Sequence, residues 1–237
     1  MCVKMRKVPA TSSGEIGFMK KEAVRARIEE IGVIPAIRVS SVEDALFVAE
    51  AIAAGGIPIV EIPMTVPGAV NVISEIARTG RHIIVGAGTL LDVETARSCL
   101  DAGAKFLTTT GLDLSIVEFA VREQVVVFPG ALTPTEIITA WRAGADLVKV
   151  FPCSQLGSAS YIRALKSPFP QIPLIASGGV NQQTAADFIL AGAAALGIGK
   201  GLMPREAIQL RQAHWIHELA RRYVSMVKEA REQRAGA

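Results

Sequence analysis

Short apolar runs alternate with longer amphipathic stretches along most of the chain. The apolar runs are VIPAIRV (33–39), IPIVEI (57–62), HIIVGAG (82–88), KFLTT (105–109), VVVFPG (125–130), DLVKVFP (146–152), IPLIAS (172–177) and AALGIG (194–199). They are rich in Val and Ile and apolar at successive positions, which suits strands covered on both faces, as in a parallel sheet. The intervening stretches carry helix-start signals. Ser41-Val-Glu-Asp44 leads into DALFVAEAIAAGG, Asp92 precedes VETARSCLDAG, and Asn181 precedes QQTAADFILAG. Thr133-Pro134-Thr135-Glu136 has the cap residue, the proline and the acid of a capping box. Gly55, Gly103, Gly144 and Gly192 fall where four helices end, a place where glycine adopts φ > 0 at little cost.

Eight strands in strict alternation with eight helices predict parallel pairing, right-handed crossovers and, at this length, a closed (β/α)8 TIM barrel. The alternative, an open doubly wound sheet, usually carries fewer units. One extra helix at about 19–31 precedes the first strand, and the charged tail from Pro204 to about Arg231 is helical. Residues 1–18 read as a flexible N-terminal extension, and 19–237 as a single barrel domain.

Composition narrows the function classes. Of 237 residues, 50% are hydrophobic and 20% charged, the balance of a soluble globular protein. The net charge of +3, from 25 basic and 22 acidic residues, is too small and too scattered to indicate nucleic acid. Cys2, Cys99 and Cys153 are odd in number and irregularly spaced, so they make no disulfide framework and suit a reducing cytoplasm. The apolar runs are far shorter than the ~18 residues of a membrane span, and the N-terminus lacks a signal-like apolar segment.

In a barrel of this kind, chemistry gathers at the C-terminal ends of the strands. Polar groups there are Arg38, Glu61, Thr89, Thr109-Thr110, Lys149, Ser177-Gly178-Gly179 and Gly199-Lys200. Lys149 lies inside LVKVFP, between Val148, Val150 and Phe151. Burial disfavours an ammonium, and a neutral amine is the nucleophile that attacks a ketone. Glu61, inside IVEIP, can pair with Lys149 and relay protons, or form a purely structural ion pair with it. GAGT (86–89) offers close backbone approach and the Thr89 hydroxyl, although a tight turn needs the same glycines. SGG (177–179) and GIGKG (197–201) follow the last two strands, where barrels often hold phosphate on backbone N–H groups. Glu136 reads as a capping residue and Cys153 as a small buried filler. His82, His214 and His217 form no metal-binding set.

In this order, the segments IPAIRV, VEDALFVAEAIAAGGI, VEIPMTVPGA, IVGAGTLLD, AGAKFL, FPGALTPTEI, DLVKVFP, SPFPQIPLIASGGVN and GIGKGL resemble the 2-dehydro-3-deoxy-phosphogluconate and 4-hydroxy-2-oxoglutarate aldolases. The resemblance covers roughly residues 19 to 205. It implies that Lys149 is the Schiff-base lysine, Glu61 the general acid/base and Thr89 the holder of the pyruvate carboxylate. Gly178 and Gly179 match phosphate-loop glycines, and Phe151, Ser177, Gly199 and Lys200 fall among the expected substrate contacts. It further implies a homotrimer acting on a small 2-oxo acid, with no metal, organic cofactor, nucleic acid or membrane partner. Three departures stand out. Met64-Thr65-Val66 replaces an L-R-T triplet, which turns attention to Arg38 as the carboxylate partner. Thr109-Thr110 replaces a Ser-Pro pair, and Lys200 replaces a serine of the last phosphate loop.

The expected reaction is reversible cleavage of a 4-hydroxy-2-oxo acid, foremost 2-dehydro-3-deoxy-6-phosphogluconate, to pyruvate and an aldehyde. The alternatives are an unphosphorylated substrate such as 4-hydroxy-2-oxoglutarate, oxaloacetate decarboxylation, a phosphosugar isomerase, and a non-catalytic metabolite-binding barrel.

Overall fold

Alternation along each strand divides the chain's aliphatic residues between two sides of a parallel sheet. A computed structural model describes residues 19–79 and 82–236; the expected N-terminal extension lies outside the described residues. The strands are β1 (Val33–Pro35), β2 (Ile59–Pro63), β3 (Ile84–Leu90), β4 (Phe106–Thr109), β5 (Val126–Phe128), β6 (Gly130–Ala131), β7 (Val148–Val150), β8 (Leu174–Ser177) and β9 (Ala195–Ile198). All pair in parallel, in two arcs ordered β1-β9-β8-β7-β6 and β2-β3-β4-β5. At one seam, β5 and β6 are a single strand interrupted at Pro129, which has no N–H to give the ladder. At the other, Ala36 bridges Glu61, and the Ile37 N–H donates to the Glu61 carbonyl at 2.9 Å. The result is the expected closed barrel, with strands shorter than the apolar runs that predicted them.

Ile34, Ile59, Ile84, Phe106, Val126, Phe128, Leu147, Ile175 and Ala195 fill its lower interior. Phe106 and Phe128 stack there with ring centroids 5.2 Å apart, a favourable offset separation. Outward residues of the same strands meet the surrounding helices in a second, larger cluster.

Seven helices follow the strands: α2 (Val42–Ala54), α3 (Ala69–Thr79), α4 (Val93–Asp101), α5 (Leu114–Arg122), α6 (Pro134–Arg142), α7 (Ala159–Lys166) and α8 (Ala185–Leu190). The eighth place is taken by α9 (Arg205–Gln209) and α10 (Ala213–Ala235), so the helical tail is broken, with Arg211 at φ 52 in the junction. The start signals at Ser41, Asp92 and Thr133 act as caps: their side chains accept from Asp44, Thr95 and Glu136 backbone N–H at 3.0, 2.7 and 3.3 Å. Two expectations need correction. The Asn181 carboxamide accepts from the N–H groups of Gln183 and Thr184 at 2.9 and 3.1 Å, closing a turn that delays α8 to Ala185. After α2 the left-handed residue is Gly56, φ 96, while Gly55 has φ −77.

The extra helix α1 (Lys21–Ile31) is a floor. Val24 and Ile28 pack against the barrel's lower interior, and Lys21 Nζ lies 3.0 Å from the Asp146 carboxylate. Asp146 also accepts the Val127 N–H at 2.9 Å. α10 lies across α2 and α8. Its Arg231 donates to the carbonyls of Glu30, Glu29 and Ala194 at 2.6, 2.6 and 2.8 Å, tying the end of α1 to β9. Among the described residues no helix is long and apolar enough to cross a membrane.

Candidate active site

Two residues beyond the apolar layer, each inward-facing strand position is polar or small. Stepping by two from Ile59, Leu147, Ile175 and Ala195 reaches Glu61, Lys149, Ser177 and Gly197. The strand period therefore collects the chemistry in one layer at the C-terminal end of the barrel. Lys149 is 6% exposed and Glu61 3%, and Lys149 Nζ lies 3.7 Å from Glu61 Oε2. They come from β7 and β2, so this contact spans the interior. A separation of 3.7 Å is an ion-pair distance rather than a tight hydrogen bond, which leaves the amine room to move. The Phe151 ring centroid is 5.7 Å from the same nitrogen, within cation–π range.

Gly86 and Gly88 in β3 serve packing. A methyl group at Gly88 would collide with the Glu61 carboxylate, and one at Gly86 with the Phe106 ring. The glycines of GAGT thus make room for side chains from neighbouring strands. Thr89 follows with φ 58, at a register shift between β3 and β4. A β-branched residue in the left-handed region is strained, and such strain concentrates at functional sites. Its side chain is half-buried and makes no hydrogen bond among the described residues.

The loop after β8 has consecutive left-handed residues, Gly178 at φ 84 and Gly179 at φ 87. Neither N–H has a backbone acceptor among the described residues. Side chains at these positions would strike Pro152 and Ser154. The segment after β7 buttresses this loop: the Ser154 N–H and the Cys153 thiol both donate to the Gly178 carbonyl at 3.1 Å. Burial pushes the Cys153 thiol up to about 11, so it stays protonated near neutral pH. Ser177 is buried against Gly197. Thr109 Oγ1 accepts from Gly130 N–H at 3.0 Å, and Thr108 donates to the Phe128 carbonyl at 2.8 Å, which spends the threonines' hydroxyls on joining β4 to β5 and β6.

Arg38 and Lys200 are placed differently. Both are exposed and line a groove of about 640 Å³ whose lining includes neither Lys149 nor Glu61. Gly199 precedes Lys200 at φ −102, partly buried and with open space around it. Arg205, which sequence reasoning passed over, shares the groove; its signal was a further cation five positions after Lys200. Glu136 is confirmed as a cap, accepting the N–H groups of Thr133 and Leu132 at 2.7 and 2.8 Å. Among the described residues no cluster of three or more His, Cys, Asp or Glu is spaced for a metal ion.

Residues 24–219 match the family model described as KDPG and KHG aldolase. The chain belongs to the KDPG and KHG aldolase family. Two of this family's aldolases illustrate the similarity. The 2-dehydro-3-deoxy-phosphogluconate aldolase of Pseudomonas aeruginosa is 29% identical over 214 residues, covering 89% of this chain and 97% of its own. The 2-dehydro-3-deoxy-6-phosphogalactonate aldolase of Escherichia coli is 32% identical over 205 residues, covering 86% of this chain and 96% of its own. Among solved structures, the KDPG aldolase of Legionella pneumophila, with pyruvate captured as a covalent carbinolamine, is 28% identical with a TM-score of 0.78. That match covers 83% of this chain and 96% of the other.

Proposed function

We propose that the protein is a Schiff-base aldolase that cleaves a 4-hydroxy-2-oxo acid, foremost 2-dehydro-3-deoxy-6-phosphogluconate or a close phosphorylated analogue, to pyruvate and an aldehyde. The observation carrying this reading is the buried Lys149–Glu61 pair, 3.7 Å apart at the barrel's C-terminal end.

The deprotonated Lys149 amine adds to C2 of the substrate and forms a carbinolamine. Glu61 gives a proton to the departing hydroxyl, which leaves as water, and a protonated imine remains. When a base takes the 4-hydroxyl proton, the C3–C4 bond breaks. Its electron pair moves toward the imine nitrogen, the aldehyde departs, and an enamine of pyruvate is left on Lys149. A proton added at C3 regenerates the imine, and water hydrolyses it to pyruvate and the free amine. Glu61 is close enough to Lys149 to serve as the proton carrier for the steps at the imine.

Thr89, held with its hydroxyl free at the strand end, is the carboxylate ligand in this reading. The Gly178 and Gly179 N–H groups, ahead of α8, supply donors for the distal phosphate. The same reading carries a cytoplasmic homotrimer that needs neither metal nor organic cofactor.

Borohydride added with pyruvate should reduce the imine and fix a stable adduct on Lys149, detected by peptide mass. Lys149→Ala should abolish both the adduct and pyruvate release. An adduct on another lysine, or turnover retained in Lys149→Ala, would overturn the reading.

A further inference from the structure

Beneath the barrel, at the end opposite Lys149, a cleft of about 580 Å³ lies between α1, the C-terminal end of α7 and the end of α10. Its lining includes Pro173 and Ala194, which directly precede β8 and β9. Four cations face it, Arg25, Lys166, Arg231 and Arg234, against one acid, Glu29. Glu29 pairs with Arg25 at 3.1 Å. The other three cations form no ion pair among the described residues. They bind neutral carbonyls instead: Lys166 Nζ donates to those of Phe169, Pro170 and Ile172 at 3.2, 2.8 and 2.8 Å, and Arg234 to that of Ile189 at 2.8 Å. Both α10 arginines lie beyond residue 219, where the family match ends.

Four positive charges less one negative leave a formal +3 in the cleft. Some of that answers the negative ends of α1 and α8, whose last-turn carbonyls Arg231 and Arg234 touch. A helix end offers only about half a charge, so about two positive charges stay uncompensated. Burial, and after it the Arg234 charge, lowers the pKa of both Lys166 and Arg231, as expected of crowded cations. Donors remain as well. Arg25 gives its Nε to Glu29, and Arg234 gives one N–H to Ile189, out of five on each guanidinium. The Lys166 stem packs on Gly192, where an added methyl would lie 2.9 Å from Lys166 Cγ. The ammonium is thus fixed before any ligand arrives.

We propose that this cleft binds an oligophosphate, either free or as the tail of a nucleotide. The Arg25 and Arg234 guanidinium groups hold the phosphates through their uncommitted N–H groups, and Lys166 and Arg231 add charge from behind. Bound there, the ligand ties α10 to α1. The site is at the opposite end of the barrel from the imine pocket and stands whether or not Lys149 forms an imine.

Tripolyphosphate is a suitable probe, with orthophosphate as its single-phosphate counterpart. Titration calorimetry on the full chain should show tripolyphosphate binding at least about tenfold more tightly, because one phosphate reaches fewer of the cations. Tripolyphosphate should also raise the melting temperature, as any ligand of the folded chain alone does. Arg234→Glu should weaken tripolyphosphate binding at least about tenfold. Gln171→Glu covers the case in which that variant folds poorly. Gln171 is exposed in the lining and makes no hydrogen bond among the described residues, so its replacement adds a negative charge without removing a contact. It should weaken binding severalfold, and pyruvate release should be unchanged in both variants. ATP binding as tightly as tripolyphosphate would assign the site to a nucleotide tail, and markedly weaker ATP binding to a free oligophosphate. Equal affinity for tripolyphosphate and orthophosphate would overturn the proposal. So would no binding up to about 10 mM, or wild-type affinity in both variants, which would place the probe elsewhere.

Discussion

Gly88 lacks a side chain because the Glu61 carboxylate occupies the space where one would lie. Gly88→Ala should therefore shift the carboxylate away from Lys149 while leaving the barrel folded. Misplacing a catalytic group by about 1 Å can cost about 10²-fold in rate, so pyruvate release should fall by about that factor. Gly111→Ala, where nothing lies within 4 Å of the added methyl, should leave the rate unchanged and serves as the control in the same assay. At this scale the sequence was a good guide to charge and a poor one to conformation. Glu61 and Lys149 stand out because each is a lone charge in an apolar run. The left-handed backbone of Thr89 arises from a register shift against β4, a long-range pairing that no local pattern encodes. The grouping of Arg38 with Arg205 likewise depends on how far α9 reaches back over the mouth.

Helix caps were legible where side chain and backbone answer each other across three residues. Thr133 and Glu136 form such a pair at the start of α6. Thr133→Ala should lower unfolding free energy by about 1 kcal/mol in urea titrations. The N–H groups of Thr133 and Leu132 hold the Glu136 carboxyl below its usual value of 4.5. A carboxyl depressed in the folded state stabilises above its unfolded value, and that contribution is lost as pH falls through the folded one. The stability advantage of the natural chain over Glu136→Gln should therefore shrink as pH drops below about 4.5. Asn181 misled because an Asx turn and an N-cap draw on the same side-chain chemistry. The next residues decide between them, and here the chain runs three further residues before α8 begins. Pro129 was visible in the sequence, yet its division of one strand into β5 and β6 shows only once the ladder hydrogen bonds are traced.

The two ends of the barrel do different work. The Lys149–Glu61 pair lies at the C-terminal end, whereas Lys21, Asp146 and Val127 are joined beneath the lower interior. Asp146→Ala strips a partner from both the Lys21 ammonium and the Val127 N–H. It should destabilise the fold by about 3 kcal/mol, measured by urea unfolding, with turnover at low temperature close to that of the natural chain. The eightfold βα alternation made the barrel legible from hydrophobic pattern alone. The role of α1 as its floor was not, since an amphipathic helix before the first strand could equally pack outside the ring. Arg231 closes that floor by gripping carbonyls from residues 29, 30 and 194. A ribosome making this chain delivers both Glu61 and Lys149 long before it delivers that arginine. The nascent barrel must therefore wait, its underside unlatched, until the last helix emerges from the exit tunnel.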